Sequence, residues 1–173
     1  AGEGESQLIF GEFTFLSRDV EGTYQIKVPV TMLNTFINLT ENGSLLYDPG
    51  DMTNSVHQAY ISIAEGSSVE IASGHHDIGI QSNPVSPVIG GDGEFIISGG
   101  SVGIRKDVTA EVPFILQGAM MVDADVTATF TKPFTNNGGM LGGHGTFAFE
   151  GTFDQSGTLS PGSAVARVIT NVV

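Results

Sequence analysis

The chain has 173 residues, 40% of them hydrophobic, no cysteine, and 19 acidic against 6 basic side chains, a formal net charge of −13. That length and apolar content suit one domain whose core needs no disulfide or metal, and they argue against a disordered segment. The charge argues against nucleic acid and anionic membrane surfaces as partners, since both are bound by cationic side chains. No apolar run approaches the ~20 residues of a transmembrane helix, so no membrane insertion is expected.

Glycine accounts for 24 residues. It costs the most backbone entropy inside a helix or strand and is at home in turns. Many turns imply many short elements, and hence an all-β chain.

Residues 1–7 are small, polar and acidic and are predicted to form a flexible N-terminal segment. Residues 8–173 then form a single β domain. Ala1 is a small residue of the kind signal peptidase leaves, which points to a secreted, cell-surface or periplasmic protein.

The first predicted strand is Leu8–Leu16. From Thr23 to Leu33, Tyr24, Ile26, Val28, Val30 and Met32 alternate with Gln25, Lys27, Pro29 and Thr31, giving one buried and one wet strand face. Met52, Val56, Ala59 and Tyr60 are at helical spacing behind the capping candidates Asp51, Thr53 and Asn54, so at most one short helix is expected there. Ala59–Ala64, Ser68–Ala72 and Glu94–Ser98 read as further strands. Two-fold alternation returns in Val108, Ala110, Val112, Phe114 and Leu116, then from Met120 to Phe130, and in Phe147, Phe149 and Phe153. Ala164–Val172 is the last predicted strand.

Between these strands stand Asn42-Gly43, Glu65-Gly66, Asp92-Gly93, Asn136-Asn137-Gly138-Gly139 and Ser156-Gly157. Asn and Gly tolerate the positive φ of tight hairpins. Alternation with short turns predicts an antiparallel β-sandwich, jelly-roll-like, with a closed β-barrel as the alternative. Pro29 and Pro113 predict edge strands, or a bulge where a strand bends between sheets. Gly11-Glu12-Phe13 is echoed by Gly93-Glu94-Phe95, and Val28-Pro29 by Val112-Pro113. That echo is compatible with two similar halves, about 8–90 and 91–173.

Candidate chemistry is sparse. His75, His76 and Asp77 carry metal-ligand groups suited to zinc. Neighbouring strand residues face opposite ways, so both histidines can hold one ion only from a loop. A solvated loop is the simpler expectation. Asp123 and Asp125 share a face and could contact calcium, but that ion needs six to eight oxygens and no loop here has the EF-hand pattern. There is no cysteine nucleophile, no Gly-x-Ser-x-Gly elbow and no phosphate loop. No catalytic residue is predicted, and calcium or zinc are the only cofactor candidates.

These features favour an extracellular structural or interaction protein, a self-assembling subunit of a surface filament, coat or matrix. Its partner would be a second copy, joined by exchange of a terminal strand. Leu8, Ile9, Phe10, Phe13, Phe15, Val165, Val168, Ile169 and Val172 would make that contact. The alternative is a binding module for a lipid, pigment or sugar, with Phe13, Phe15, Tyr24, Phe147, Phe149 and Phe153 lining an interior pocket. A β-barrel enzyme is the third reading.

Overall fold

In the computed structural model the described residues are 17–20, 22–51, 54–162 and 167–170. They form short strands, numbered in chain order, that stack in three columns. The first column is β2 (Thr23–Ile26), β4 (Ser44–Tyr47), β6 (Ser68–Ile71), β9 (Glu94–Ile97), β12 (Phe114–Leu116), β15 (Phe134–Asn136) and β18 (Phe153–Gln155). Two long strands, β3 (Thr31–Leu39) and β5 (Ser55–Ile63), then serve both other columns. The second column continues from the start of β5 through β7 (His75–Ile78), β10 (Ser101–Ile104), β13 (Ala119–Val122), β16 (Met140–Gly143) and β19 (Thr158–Pro161). The third runs from β1 (Ser17–Val20) across the far ends of β3 and β5 to β8 (Val88–Gly91), β11 (Val108–Glu111), β14 (Thr127–Phe130), β17 (Thr146–Phe149) and β20 (Arg167–Thr170).

Among the described residues every pairing is parallel; the chain visits the three columns in turn and climbs one rung per circuit. The fold is therefore a parallel β-solenoid of about seven turns. This corrects the expected antiparallel sandwich or jelly roll, and the closed barrel with them. The turn residues explain the difference. Asn42 has φ 63°, as a hairpin would require, and the Gly43 N–H donates to the Thr40 carbonyl at 2.8 Å. The chain does not double back, however. It bends onto the next column, and its neighbour in space is the corner one rung on: the Ser68 N–H donates to the Gly43 carbonyl at 3.0 Å. Pro29 and Pro113 fall at such corners, between β2 and β3 and between β11 and β12.

The expected helix is also overturned. Residues 55–63 are a strand, with Ser55, His57, Ala59, Ile61 and Ile63 buried on alternate positions. Tyr24 and Val28, expected inside, are 48% and 54% exposed. Val108, Ala110, Val112, Phe114 and Leu116 are all buried as expected. In the run from Met120 to Phe130, Ala124 departs, exposed in the turn between β13 and β14, and Phe153 is half-buried.

Because partners are in register along the stack, like residues pile on like. Phe95, Phe114, Phe134 and Phe153 occupy equivalent positions in successive first-column strands. Phe114 stacks on Phe95 at 5.0 Å and on Phe134 at 5.2 Å between ring centroids. Phe149 stacks on Phe130 at 5.4 Å and on Phe153 at 4.1 Å. Burying each of the enclosed rings contributes roughly 2–3 kcal/mol before the entropy of ordering it. This spine fills the interior of the later rungs.

The corners from the first to the second column are a ladder of glycines: Gly74, Gly100, Gly118, Gly139 and Gly157. A Cβ on any of the last four would stand within 3.0 Å of the carbonyl oxygen of the preceding one. Those carbonyls accept the rung-to-rung hydrogen bonds from Ser101 (2.9 Å), Ala119 (3.1 Å), Met140 (2.9 Å) and Thr158 (2.7 Å). Close approach of backbones is what glycine supplies here.

Candidate functional site: a lateral groove

The corners from the second to the third column differ in length. Between β10 and β11 three residues suffice, Arg105 to Asp107. Between β7 and β8 the chain makes a long excursion, Gly79 to Pro87, while β3 and β5 pass straight through the same place. Gln58, 2% exposed, anchors this loop with both ends of its amide. Its Nε2 donates to the Val85 carbonyl at 2.8 Å and its Oε1 accepts from the Ile80 N–H at 2.8 Å. At the far side Asn83 Nδ2 donates to Asn34 Oδ1 at 3.2 Å. Asn34 stands in a bulge, with φ 52°, where the β3–β5 register shifts between Leu33 and Thr35.

The loop thereby walls a groove of about 690 Å³ on the outside of the third column. Its floor is Phe36, Tyr60 and Val88, register partners in three successive rungs. Phe36 and Tyr60 are stacked, 5.0 Å between centroids with planes 10° apart. Phe36 therefore covers one face of the Tyr60 ring, and Val88 lies on the other side. Tyr60 remains 44% exposed, and Val85 on the loop 58%. Asn34, Asn83, Ser82 and Ser86 bring amides and hydroxyls to the lining, which among the described residues contains no Asp, Glu, Lys, Arg or His.

Gln58→Ala is expected to leave the Val85 carbonyl and the Ile80 N–H without their partner, at a cost of roughly 2–4 kcal/mol. Amide hydrogen exchange should then speed up at Ile80 to Val85 and stay slow in β12 and β15. Uniform acceleration along the chain would show that Gln58 supports the whole stack and not the loop.

Of the histidine–aspartate cluster, His75 and Asp77 are brought together, with His75 Nε2 3.3 Å from Asp77 Oδ1, and His76 is turned away from them. The segment is strand β7, not a loop, so His75 faces out and His76 faces in, fully buried. His75 Nδ1 lies 2.6 Å from Ser101 Oγ. Asp77, also outward, accepts from Arg105 Nε at 2.7 Å and from Asn54 Nδ2. Arg105 reaches on to Asp123 Oδ1 at 2.6 Å, crossing Gly103, where a Cβ would collide with the Arg105 guanidinium and Asp77. Asp125 is a turn residue with φ 61°. Among the described residues no three His, Asp or Glu side chains are placed to share a metal. Arg105→Ala should cost only about 0.5–1 kcal/mol, because the guanidinium is 37% exposed. The loss should shrink in 1 M NaCl, where charges are screened within ~3 Å. A salt-independent loss would assign the residue a packing role.

Inside, His76 instead meets His57. His57 Nε2 lies 2.9 Å from His76 Nδ1, with the rings stacked at 5.1 Å. His76 Nε2 lies 3.0 Å from the Ser73 carbonyl. A carbonyl only accepts, so His76 carries its proton on Nε2 and its Nδ1 is an acceptor. His57 must then donate from Nε2. Both rings are neutral. Burial, reinforced by His76, pushes His57 down to about 3. Burial also lowers His76, opposed by its hydrogen bond to Ser73; His75 lowers it and Asp77 raises it. Tyr47, edge-on to His57 at 4.9 Å, donates to Met32 Sδ at 3.9 Å, and burial raises its hydroxyl. The space beside this cluster is about 10 Å³, room for about one water and no ligand.

The expected interior pocket fares no better where it can be followed. Phe147 and Phe149 are packed in the core and Tyr24 is outside it. Of the assembly residues, Leu8, Ile9, Phe10, Phe13, Phe15, Val165 and Val172 lie outside the described residues. Val168 and Ile169 fall in β20, paired with Phe147 and Ala148. Among the described residues no helix is long and apolar enough to cross a membrane.

The chain so described belongs to the structural class of three-column parallel β-solenoids. No protein-family model, no curated protein and no solved structure matches it.

Proposed function

We propose that this protein is an extracellular binding module without catalytic activity, in which the solenoid is a rigid support and the lateral groove is the contact face for a small, uncharged ligand. The observation that carries the reading is the Gly79–Pro87 loop, pinned across the outer sheet by Gln58 and Asn83 over an exposed aromatic pair. Loops held by a rigid framework are where binding groups concentrate. The groove volume lies within the roughly 300–1,000 Å³ of small-molecule sites. A net charge of −13 suits a wet, salt-screened exterior. The test is a thermal-shift screen of uncharged small molecules against the wild type and Gln58→Ala. Ligands should raise the melting temperature of the first and lose that effect in the second. Equal shifts in both would place binding elsewhere.

A second reading is self-assembly along the solenoid axis. It is supported by β18 and β19, which end their columns with no further strand hydrogen-bonded beyond them among the described residues. Leu159 on β19 is 43% exposed. Open strand edges are templates for pairing with another chain. Light scattering over a hundredfold concentration range decides it: a growing mean mass supports assembly, and a constant monomer mass removes it.

A further inference from the structure

We infer that the ligand of the lateral groove is a neutral oligosaccharide, bound with a sugar ring against Tyr60; this rests on the groove being the binding face. The ring of Tyr60 offers the chemistry. Its one face is closed by Phe36 at 5.0 Å, the shorter side chain of Val88 stands in the next rung on the other side, and the ring is 44% exposed in the groove. Aromatic faces carry the negative part of the ring quadrupole. The axial C–H bonds of a pyranose present a flat, weakly positive apolar patch that matches it. The hydroxyls around the same sugar ring need donors and acceptors beside the platform. Ser82, Ser86, Asn34 and Asn83 stand in the lining for that purpose. An apolar floor with a hydroxyl and amide rim suits a ligand that is apolar on its faces and polar at its edge.

Charge selects among sugars. Among the described residues none that lines the groove is an acid, a base or a histidine, and the chain carries −13 overall. Uronate, sulfate or phosphate groups would find no cation there and would enter a repelling field. A lipid chain would want an enclosed apolar cavity, and the interior space beside Tyr47 is about 10 Å³. The geometry also favours a chain of sugars over a single one. The floor continues from Tyr60 to Val88 and on to the register partner Thr109, so neighbouring sugar units can follow the sheet from rung to rung.

The experiment is a titration followed by aromatic-ring NMR resonances of Phe36 and Tyr60. The probes are cellohexaose, mannohexaose, chitohexaose, an oligogalacturonate and a set of short uncharged peptides, each run on wild type, Tyr60→Ala and Tyr60→Phe. Binding of one or more neutral hexasaccharides, with saturating shifts of the two rings, is expected. Affinity should fall about tenfold in Tyr60→Ala and stay within about threefold in Tyr60→Phe, which keeps the ring face. Unchanged circular dichroism of both variants certifies the fold. Neutral saccharides that bind equally well to Tyr60→Ala would overturn the stacking role. Peptides or the oligogalacturonate shifting the rings while neutral saccharides do not would overturn the ligand class and leave the binding face standing. No shift with any probe would overturn both.

Discussion

Acidification should destabilise this protein well before its carboxylates titrate. His57 is held at about 3 against an ordinary value near 6.5, because burial and the neighbouring His76 disfavour its charged form. The unfolded chain therefore binds a proton that the folded chain refuses throughout the interval between those values. Where the unfolded state binds more protons, stability falls as pH falls. The loss should begin as pH drops below about 6.5. It amounts to roughly 2 kcal/mol by pH 5, at about 1.4 kcal/mol per pH unit, and reaches roughly 4–5 kcal/mol near pH 3. The measurement is the urea midpoint at half-unit steps from pH 7 to pH 4. The double variant His57→Leu/His76→Leu removes both partners together, so no buried polar group is orphaned within the pair. Its midpoint should be nearly flat from pH 6.5 to pH 5, above the ordinary carboxylate range. A slope in the double variant equal to that of the wild type would assign the acid sensitivity to other groups.

The glycine ladder leads to the second large effect. Gly118 has an ordinary backbone conformation, but a Cβ there would lie 2.8 Å from the carbonyl oxygens of both Gly99 and Gly100. Gly138 is the reverse case, with φ 83° and nothing within 4 Å. Gly118→Ala must push two rungs apart at the hydrogen bond from Ala119 to Gly100, at a cost of about 3 kcal/mol, the upper range of overpacking. Gly138→Ala pays only for its left-handed backbone, about 1 kcal/mol. Urea unfolding of the two variants separates steric from conformational need. Equal losses would mean that the ladder is not set by the approach of backbones.

Much of the interior was legible in the sequence. Val108 to Leu116 and Phe147 to Phe149 alternate as expected and are buried as expected. The direction of pairing was not. A rung of a parallel solenoid and a strand of an antiparallel sandwich share the same two-fold period, and a corner such as Asn42-Gly43 uses the same positive φ as a hairpin. A repeat length would have told them apart, but it drifts. Tyr60, Val88, Thr109, Thr129 and Ala148 are stacked partners at steps of 28, 21, 20 and 19 residues. In β5 the signal was masked differently: Ser55, His57 and Gln58 are polar yet buried, so the apolar positions left over mimicked a helix. The groove left no local trace. Phe36 and Tyr60 become neighbours only through the register of β3 on β5, and Gln58 looks like any exposed glutamine until both ends of its amide are seen to be engaged.

The excursion from Gly79 to Pro87 also bears on how such a chain diversifies. Its added length leaves the interior ladder undisturbed: Ile61 still meets Ile89, and Ile78 still meets Ile104, in register on either side of it. Growth at a corner is thus decoupled from the stack, and loop closure costs rise only slowly with length. The turn at Asp123 to Asp125, two rungs further along the same edge, is an equivalent place to graft a foreign peptide. A second recognition element installed there would project from the same side of the rod as the first, with the rigid column between them fixing their separation.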